Sequence, residues 1–472
     1  MSPDPSLPGR FDTLVIGAGM TGLCAAHHLA RQGRRVALVD AAERPGGVIG
    51  SVRRDGCLFE RGPNSAMDTT PLIGELVDRL GLRDQLRWAS EASNKRYVRR
   101  EGRLLPLPMS PGAFFSTPLF SFGAKLALMG EPFRPPGDPN VEESIAAFVR
   151  RRLGREFLDY AIDPFVAGIY AGDPERISVP AAFPKLHALE QRWGSLIKGQ
   201  FLGARERKRR GEVAKNAARS FSFAGGMQVL TDALAADVSQ HGGLLLLGTR
   251  ASTLSREGGA DPGFVLTAQR AADGSTITLR ARTVLLATAA PAVAELLRPL
   301  APDAAAALAA IDYAPVATVA TAYGTSSVGH PLDGFGALMP RREGRRVLGV
   351  LFSSTMFDGR APAGTALLTT FIGGKRHPEL PALAPAAIAA LAHEEHMALL
   401  DAHTAPSFQE VTRWPQAIPQ YDLGHLARVQ TADTAEQALP GLFLGGSWKG
   451  GVAVGDCLRN GLGLGERIAA TL

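Results

Sequence analysis

Residues 13–47 read TLVIGAGMTGLCAAHHLARQGRRVALVDAAERPGG, and no other stretch of the chain restricts its fold so tightly. Leu14, Val15 and Ile16 form a short apolar run of the kind a buried parallel strand needs. Gly17, Gly19 and Gly22 follow in G-x-G-x-x-G spacing and open a segment with helical periodicity; a second apolar run, 36–39, ends at Asp40. In this strand–turn–helix–strand context each glycine has a task. Gly17 permits the tight turn, Gly19 lets backbone approach a pyrophosphate, and Gly22 lets helix and strand pack closely. The first helical amides, at Met20 and Thr21, then face the phosphates. Asp40, with Ala41 beside it, is placed to accept ribose hydroxyls. The stretch predicts an adenine dinucleotide.

Arg44, Gly46 and Gly47 make an R-x-G-G just after the second strand. Two-dinucleotide flavin enzymes carry this pattern, its glycines again letting backbone crowd a phosphate, so the cofactor predicted is FAD. A chain of 472 residues has room for two or three domains. Apolar residues at 45% against 20% charged are globular composition, sufficient for a large core. The net charge of +6 is too slight to argue for nucleic acid, although it suits an anionic substrate or membrane surface. Cys24, Cys57 and Cys457 show no pairing logic and read as reduced thiols of a cytoplasmic protein, Cys24 inside the first helix. The segment MSPDPSLPGR lacks signal-peptide character and no apolar run reaches a membrane span, so a soluble or at most peripheral protein is expected.

Further along, 51–62 reads as a hairpin turning at Asp55-Gly56 and leading into Gly62-Pro63-Asn64-Ser65. A helix is predicted over 71–82, capped by Thr70, and strand-like pattern over 94–108. Residues 109–136 concentrate Phe114, Phe115, Phe120 and Phe122 with few charges, which fits either a membrane-docking or tunnel surface or an internal helical pair. A helix over 141–158, started by Glu142-Glu143, is followed by a predicted Gly-rich turn at 168–174. The run RERKRR at 205–210 reads as a solvated loop or face, or else as a contact for anionic lipid. A Gly-Gly turn and amphipathic helix over 222–243 precede a strand at 244–251, a hairpin around Asp273-Gly274, a separate buried strand at 284–288, and a helix at Pro291. Alternating strands over 314–374 predict an antiparallel sheet. The helix 384–402 carries H-E-E-H at His393–His396, which is not the zinc-protease spacing, and is expected to be solvated. A strand and turn at 441–447 and a glycine-rich helix start at 451–457 close the chain.

Four motifs spread along the sequence carry a resemblance: GPNS from Gly62, YAGDPERISVPAAFPKL from Tyr170, IPQYDLGH from Ile418 and GGVAVGDC from Gly450. With them the chain resembles the oxygen-dependent, FAD-containing protoporphyrinogen oxidases of the flavin amine oxidase superfamily, over nearly its whole length. The resemblance implies an oxidase that takes six electrons from a porphyrinogen in three two-electron steps. Each moves a hydride to flavin N5, and O2 is reduced to H2O2. The cofactor carries the chemistry, so no catalytic side chain is assigned, and neither a nucleophile triad nor a metal ligand set is found in the sequence. By the same resemblance Arg96 falls on the arginine that holds a propionate, Gly168 on a glycine facing a ring N–H, and Leu338 and Phe371 on the apolar walls of the macrocycle slot. FAD contacts are implied for Gly62, Pro63, Asn64, Ser65, Ala251, Thr288, Gly446, Ser447, Gly451, Val452, Ala453 and Val454, besides the N-terminal set. Asp40 departs from the family's usual Glu by one methylene.

The fold implied is α/β. Segments 1–90, 220–290 and 436–472 form a discontinuous two-dinucleotide-binding, Rossmann-like FAD domain. Segments 91–110 and 291–435 form an antiparallel-sheet substrate domain, and 111–219 a helical insert with membrane-associating potential. The expected partners are a porphyrinogen and O2, with peripheral contact on the inner face of the membrane and a homodimer as further expectations. Coproporphyrinogen III is the nearest rival substrate. A flavin amine oxidase would share the 13–47 stretch, and a catalytically silent flavin-binding scaffold would bind the cofactor without turning it over.

Overall fold

The computed structural model describes residues 9–209, 219–259 and 261–472. Its first sheet gathers strands from distant parts of the chain, in the order Leu244–Leu246, Val36–Val39, Phe11–Ile16, Thr276–Leu286, Gly263–Arg270, Thr249–Glu257, with Leu442–Leu444 also paired to Thr276–Leu286. Residues 13–16 run parallel to Val36–Val39 and to 283–286, and Leu442–Leu444 runs parallel to 284–286. Where the sequence suggests a hairpin ending at 281 and a separate strand at 284–288, the structure has one 11-residue strand, Thr276–Leu286. Its first half alternates exposed and buried residues and pairs antiparallel with Gly263–Arg270, while its last four residues are all buried. That change is what a strand shows on passing from an edge hairpin into a parallel sheet covered on both faces.

The first helix, Met20–Arg31, lies against this sheet, with Cys24 wholly buried in it. The last helix, Val454–Ala469, packs on the first through glycines. A Cβ at Gly461 would stand 2.4 Å from the Thr21 carbonyl oxygen, and one at Gly465 would stand 2.8 Å from the His28 Cβ. The helix Gln228–Gln240 covers the first helix from another side, where Asp237 meets buried His27 at 2.8 Å and Arg31 at 3.0 Å.

The second sheet runs Phe408–Pro419, Tyr313–Gly324, Thr365–Gly373, Val347–Leu351, Gly336–Leu338, Arg96–Arg100, Arg103–Pro106. The strands within 314–374 pair antiparallel, as expected; the one parallel pairing in this sheet is Gly336–Leu338 with Arg96–Arg100, from outside that stretch. One face is covered by the helix Pro385–Leu400. The solvated reading of H-E-E-H fails on this face. His396 is buried, its Nε2 at 2.6 Å from the Thr370 hydroxyl, and the Tyr323 hydroxyl lies 2.8 Å and 3.0 Å from the Nδ1 atoms of His393 and His396. Glu395 is buried as well and accepts from Arg345 Nε at 2.7 Å. Pairing to the sheet and to arginines, rather than water, satisfies these polar groups.

A helical region packs against the second sheet. Its predicted helix 141–158 is shorter, Ile145–Arg152, and is capped by the Ser144 hydroxyl on Ala147 N rather than by the two acids. Gly154, at φ 95°, ends it, and a π-turn over Leu158–Ile162 leads into the helix Asp163–Tyr170. The residues expected to open a turn at 168 therefore belong to a helix; the chain turns only at Ala171, with φ 47°. The helix begun at Pro71 ends at Arg79, and Thr70 precedes it without a side-chain cap. Of the aromatic-rich stretch, Leu119 and Phe120 are buried, whereas Phe122 is 80% and Phe133 87% exposed. Buried Arg152 and Glu131 pair here, and Ser195 with the Leu196 and Ile197 amides complete the carboxylate's bonds. Burial works against the Glu131 charge, yet these bonds hold its pKa below the usual carboxylate value. The backbone of 205–209 is helical, continuing Leu196–Arg209, while Arg210 and the segment 1–8 lie outside the described residues. Among the described residues no helix is long and apolar enough to cross a membrane.

Candidate active site

The glycine turn closes at the carboxyl ends of the parallel strands. Gly17 N donates to Val39 O at 2.8 Å, and its φ of 112° brings the position where a Cβ would sit to 2.7 Å from Ala287 O. A Cβ at Gly22 would stand 1.9 Å from Gly17 O, so only glycine fits under the turn. Gly19 is the reverse case: nothing lies within 4 Å of a Cβ there, leaving space on the side where a phosphate would approach. Gly19 caps the first helix without a side-chain bond, and the first amides of a helix have no intrahelical acceptor. Met20 and Thr21 turn their side chains into the core, toward Cys24 Sγ at 3.6 Å and Cys457 O at 3.3 Å, so their amides are what they offer a ligand. Asp40 is half-buried beside them, accepting from Ala18 N at 2.6 Å and Ala42 N at 2.8 Å. These bonds orient the carboxylate and leave it lone pairs for hydroxyl donors.

Gly46 N donates to Ala18 O at 2.7 Å, and a Cβ at Gly47 would lie 3.4 Å from the Gly19 Cα. The two glycine turns therefore meet and form one concave backbone surface that side chains would fill. Arg44 builds this surface from behind. Its guanidinium bonds the carbonyls of Pro45, Gly47 and Ile49, and burial, then the nearby Arg61 charge, lower its pKa. Gly62 of the GPNS motif fits below Val48, whose carbonyl oxygen would be 2.2 Å from a Cβ there. Arg61 O accepts from the Thr318 hydroxyl at 3.0 Å and Trp414 Nε1 at 2.8 Å, and Asn64 Oδ1 from the Thr369 hydroxyl at 3.3 Å. Pro63, Asn64 and Ser65 thus lie on the seam between the two sheets. Ala251 sits at a bulge in the strand that starts where Thr249 N bonds Asp40 O at 2.8 Å.

The C-terminal segment reaches the same place. A Cβ at Gly446 would stand 3.0 Å from Thr288 O, which also accepts from Trp448 Nε1 at 3.2 Å. Tyr421 ties the next turn: its hydroxyl donates to Ser447 O at 2.8 Å and accepts from Gly451 N at 2.9 Å. Val452 and Ala453 then lead into the last helix at Val454, with Asp456 in its first turn. Tyr421 stacks on His425 at 4.1 Å, and His425 Nε2 bonds Trp448 O at 3.0 Å. Burial pushes the Tyr421 phenol well up and His425 down to about 4, so both are neutral in the folded protein. Gln420 Nε2 bonds Tyr170 O at 2.8 Å. The motifs at 170, 418 and 450, far apart in sequence, are one hydrogen-bonded body.

On the second sheet, Leu338, Gly349, Phe371 and Thr318 lie side by side on adjacent strands and so share a face. Gly349 puts no side chain between Leu338 and Phe371, and the Leu338 side chain leans over it: a Cβ at Gly349 would lie 3.2 Å from Leu338 Cδ2. Gly168, from the helix Asp163–Tyr170, packs against the same side chain: a Cβ on it would lie 3.1 Å from Leu338 Cδ2. Arg96 belongs to the neighbouring strand, two residues before Val98, the parallel partner of Leu338. Its guanidinium stacks 5.2 Å over the Phe335 ring and has no carboxylate partner among the described residues, unlike Arg99 and Arg100 on the same strand, which pair with Glu343 and Glu156. Structure thus brings Gly168, Leu338 and Phe371 together with Arg96 at the margin. Tyr421 falls within the IPQYDLGH motif without a role assigned to it, and Gly349 is not singled out, though a glycine inside the apolar strand V-L-G-V-L is a readable sign of close approach. A surface cleft of about 560 Å³ lined by Arg282, Glu436, Phe443 and Arg467 opens at the opposite ends of the parallel strands and shares none of these residues.

The sequence that builds this glycine-lined cradle and the second sheet beside it matches the flavin containing amine oxidoreductase family over residues 20–468. The chain belongs to that family; it is an oxidoreductase and its cofactor is FAD, which the cradle fits. It is 35% identical to the chloroplastic protoporphyrinogen oxidase of Nicotiana tabacum over 95% of this chain and 84% of that one. It is 27% identical to the coproporphyrinogen III oxidase of Bacillus subtilis over 96% and 97%. A crystal structure from Exiguobacterium sp. 255-15 has the same fold at a TM-score of 0.81, with 23% identity over 99% of this chain and 100% of that one.

Proposed function

We propose that the chain oxidises protoporphyrinogen IX to protoporphyrin IX. The observation that carries this is the slot-like cluster on one face of the second sheet: Gly349 stands without a side chain between Leu338 and Phe371, Gly168 packs on Leu338, and Arg96 stands at the margin with no carboxylate of its own among the described residues. Apolar side chains such as Leu338 and Phe371 suit the faces of a flat macrocycle, and a guanidinium can grip a propionate through two charged hydrogen bonds. Bound FAD supplies the two-electron acceptor, three passes removing the six electrons, with three O2 reduced to three H2O2. The chain's own task is to hold the macrocycle flat and to keep the cofactor turns in place. The residues of the cradle, from Gly17 through Asp40, Gly47 and Asn64 to Gly451–Val454, are assigned to FAD in this reading, with Arg44 shaping the loop from behind. Segments 1–90, 220–290 and 436–472 are read as the FAD domain, 91–110 and 291–435 as the substrate domain, and 111–219 as a helical insert.

Coproporphyrinogen III is the second reading, favoured by the relatives that act on it by name. Mixing the anaerobic flavoprotein with each porphyrinogen separates them. Faster bleaching of the flavin by protoporphyrinogen is expected; faster bleaching by the copro substrate reverses the assignment. Bleaching only by an amine would make the chain an amine oxidase, and bleaching by none of them a silent scaffold. The helical insert exposes Phe115, Phe122, Leu126, Met129 and Phe133, which supports contact with a membrane surface; a cytoplasmic protein on the inner face belongs to the same proposal. A homodimer belongs to the same reading.

A further inference from the structure

The helix Asp163–Tyr170, which presents Gly168 to the slot, is fastened at both ends by two consecutive residues that follow the strand Thr365–Gly373. At its start, the buried Arg376 guanidinium donates to the Asp163 carboxylate at 2.8 Å and to Asp163 O at 3.2 Å. At its far end, Lys375 N donates to Ala171 O at 2.7 Å. The same guanidinium bonds Met339 O, next to Leu338, and the same Asp163 oxygen accepts from Arg341 N at 2.7 Å. One buried ion pair thus touches all three segments that line the slot. Gly168 lies five residues from Asp163, Leu338 one residue from Met339, and Phe371 five residues from Arg376. Gly374 makes the approach close, since a Cβ there would stand 2.5 Å from Ala171 O.

We propose that Asp163 and Arg376 are positioning residues that fix the helix carrying Gly168 in its place against Leu338, and through it the affinity for the porphyrinogen. The pair touches neither the cradle nor the reacting atoms. An ion pair held by backbone acceptors on two sides has one geometry, whereas the apolar contact between Gly168 and Leu338 alone allows the helix to slide. The proposal rests on the slot being the porphyrinogen site.

The test replaces both partners at once, D163N with R376M, so that no unpaired charge stays buried. The expected result is a rise of about tenfold in KM for protoporphyrinogen IX, equivalent to roughly 1.4 kcal/mol, with kcat within about twofold, FAD content unchanged, and protoporphyrin binding by fluorescence titration weakened in parallel. A folded, yellow double variant with wild-type KM overturns the proposal. Should the double variant fail to hold FAD, R376K serves: it keeps the charge but cannot bridge Asp163 and Met339 O together, and the same rise in KM is required of it. G168A is the control on the slot itself. If G168A leaves KM and product binding untouched, the slot reading falls; if G168A impairs both while the pair variants do not, only the positioning role falls.

Discussion

At the residue scale, the glycines divide into those whose role is plain from spacing and those whose role is not. Gly17, Gly19 and Gly22 declare themselves by spacing, and their geometry is the one that spacing requires. Gly168 reads as part of a turn because glycine commonly breaks helices, yet it lies in one. A glycine inside a helix is retained where another element comes too close for a Cβ, and Leu338, 170 positions away, supplies that element. Arg96 is the opposite case. Its charge is plain in the sequence, but only the folded protein distinguishes it from Arg99 and Arg100 by withholding a carboxylate partner among the described residues. Substituting Arg96 with Ala is expected to raise KM for the porphyrinogen about tenfold to a hundredfold, as loss of a charged hydrogen-bonded pair would, with FAD content unchanged. Steady-state kinetics beside the flavin absorbance checks this, and an unaltered KM removes Arg96 from the site.

At the element scale, the helix Pro385–Leu400 is legible as a helix but not as a buried one, because its acidic and histidine residues look polar enough for water. Its buried side carries Glu395 and His396, which find Arg345, Tyr323 and Thr370 across the sheet. Burial, reinforced by His393, lowers the His396 pKa to about 3, and burial lowers His425 to about 4. Both lie below the ordinary 6.5, so the unfolded chain takes up protons first as the pH falls. Stability contributed by each is therefore full above pH 6.5 and lost on acidification through the window down to about 4 for His425 and about 3 for His396. Each group adds a slope of about 1.4 kcal/mol per pH unit within its window. Urea midpoints between about pH 6.5 and about pH 4.5, a range inside both windows, should fall accordingly, and more gently in His396→Gln; equal slopes in the two proteins would dismiss the role of this histidine.

For the whole molecule, the exposed apolar side chains of the helical insert predict association with lipid. The wild-type protein is expected to sediment with vesicles containing anionic lipid, and a variant carrying F122S and F133S, both highly exposed positions, to sediment several-fold less while oxidising its substrate at the wild-type rate. Equal sedimentation of the two would end the membrane reading of this surface. Local signals were enough for one half of the protein: the glycine turn, the strands and helices around it, and the acid at Asp40 are all written within a few residues of one another. That the two ends of the chain share one cradle is foreshadowed by the glycine cluster at 445–455, but the contact itself, Gly446 against Thr288 and Gly461 against Thr21, belongs to the tertiary structure. So does the slot. It is assembled from a helix, three strands and one ion pair drawn from 163 to 376, and a distance between segments so far apart in sequence is fixed only when packing brings their backbones together.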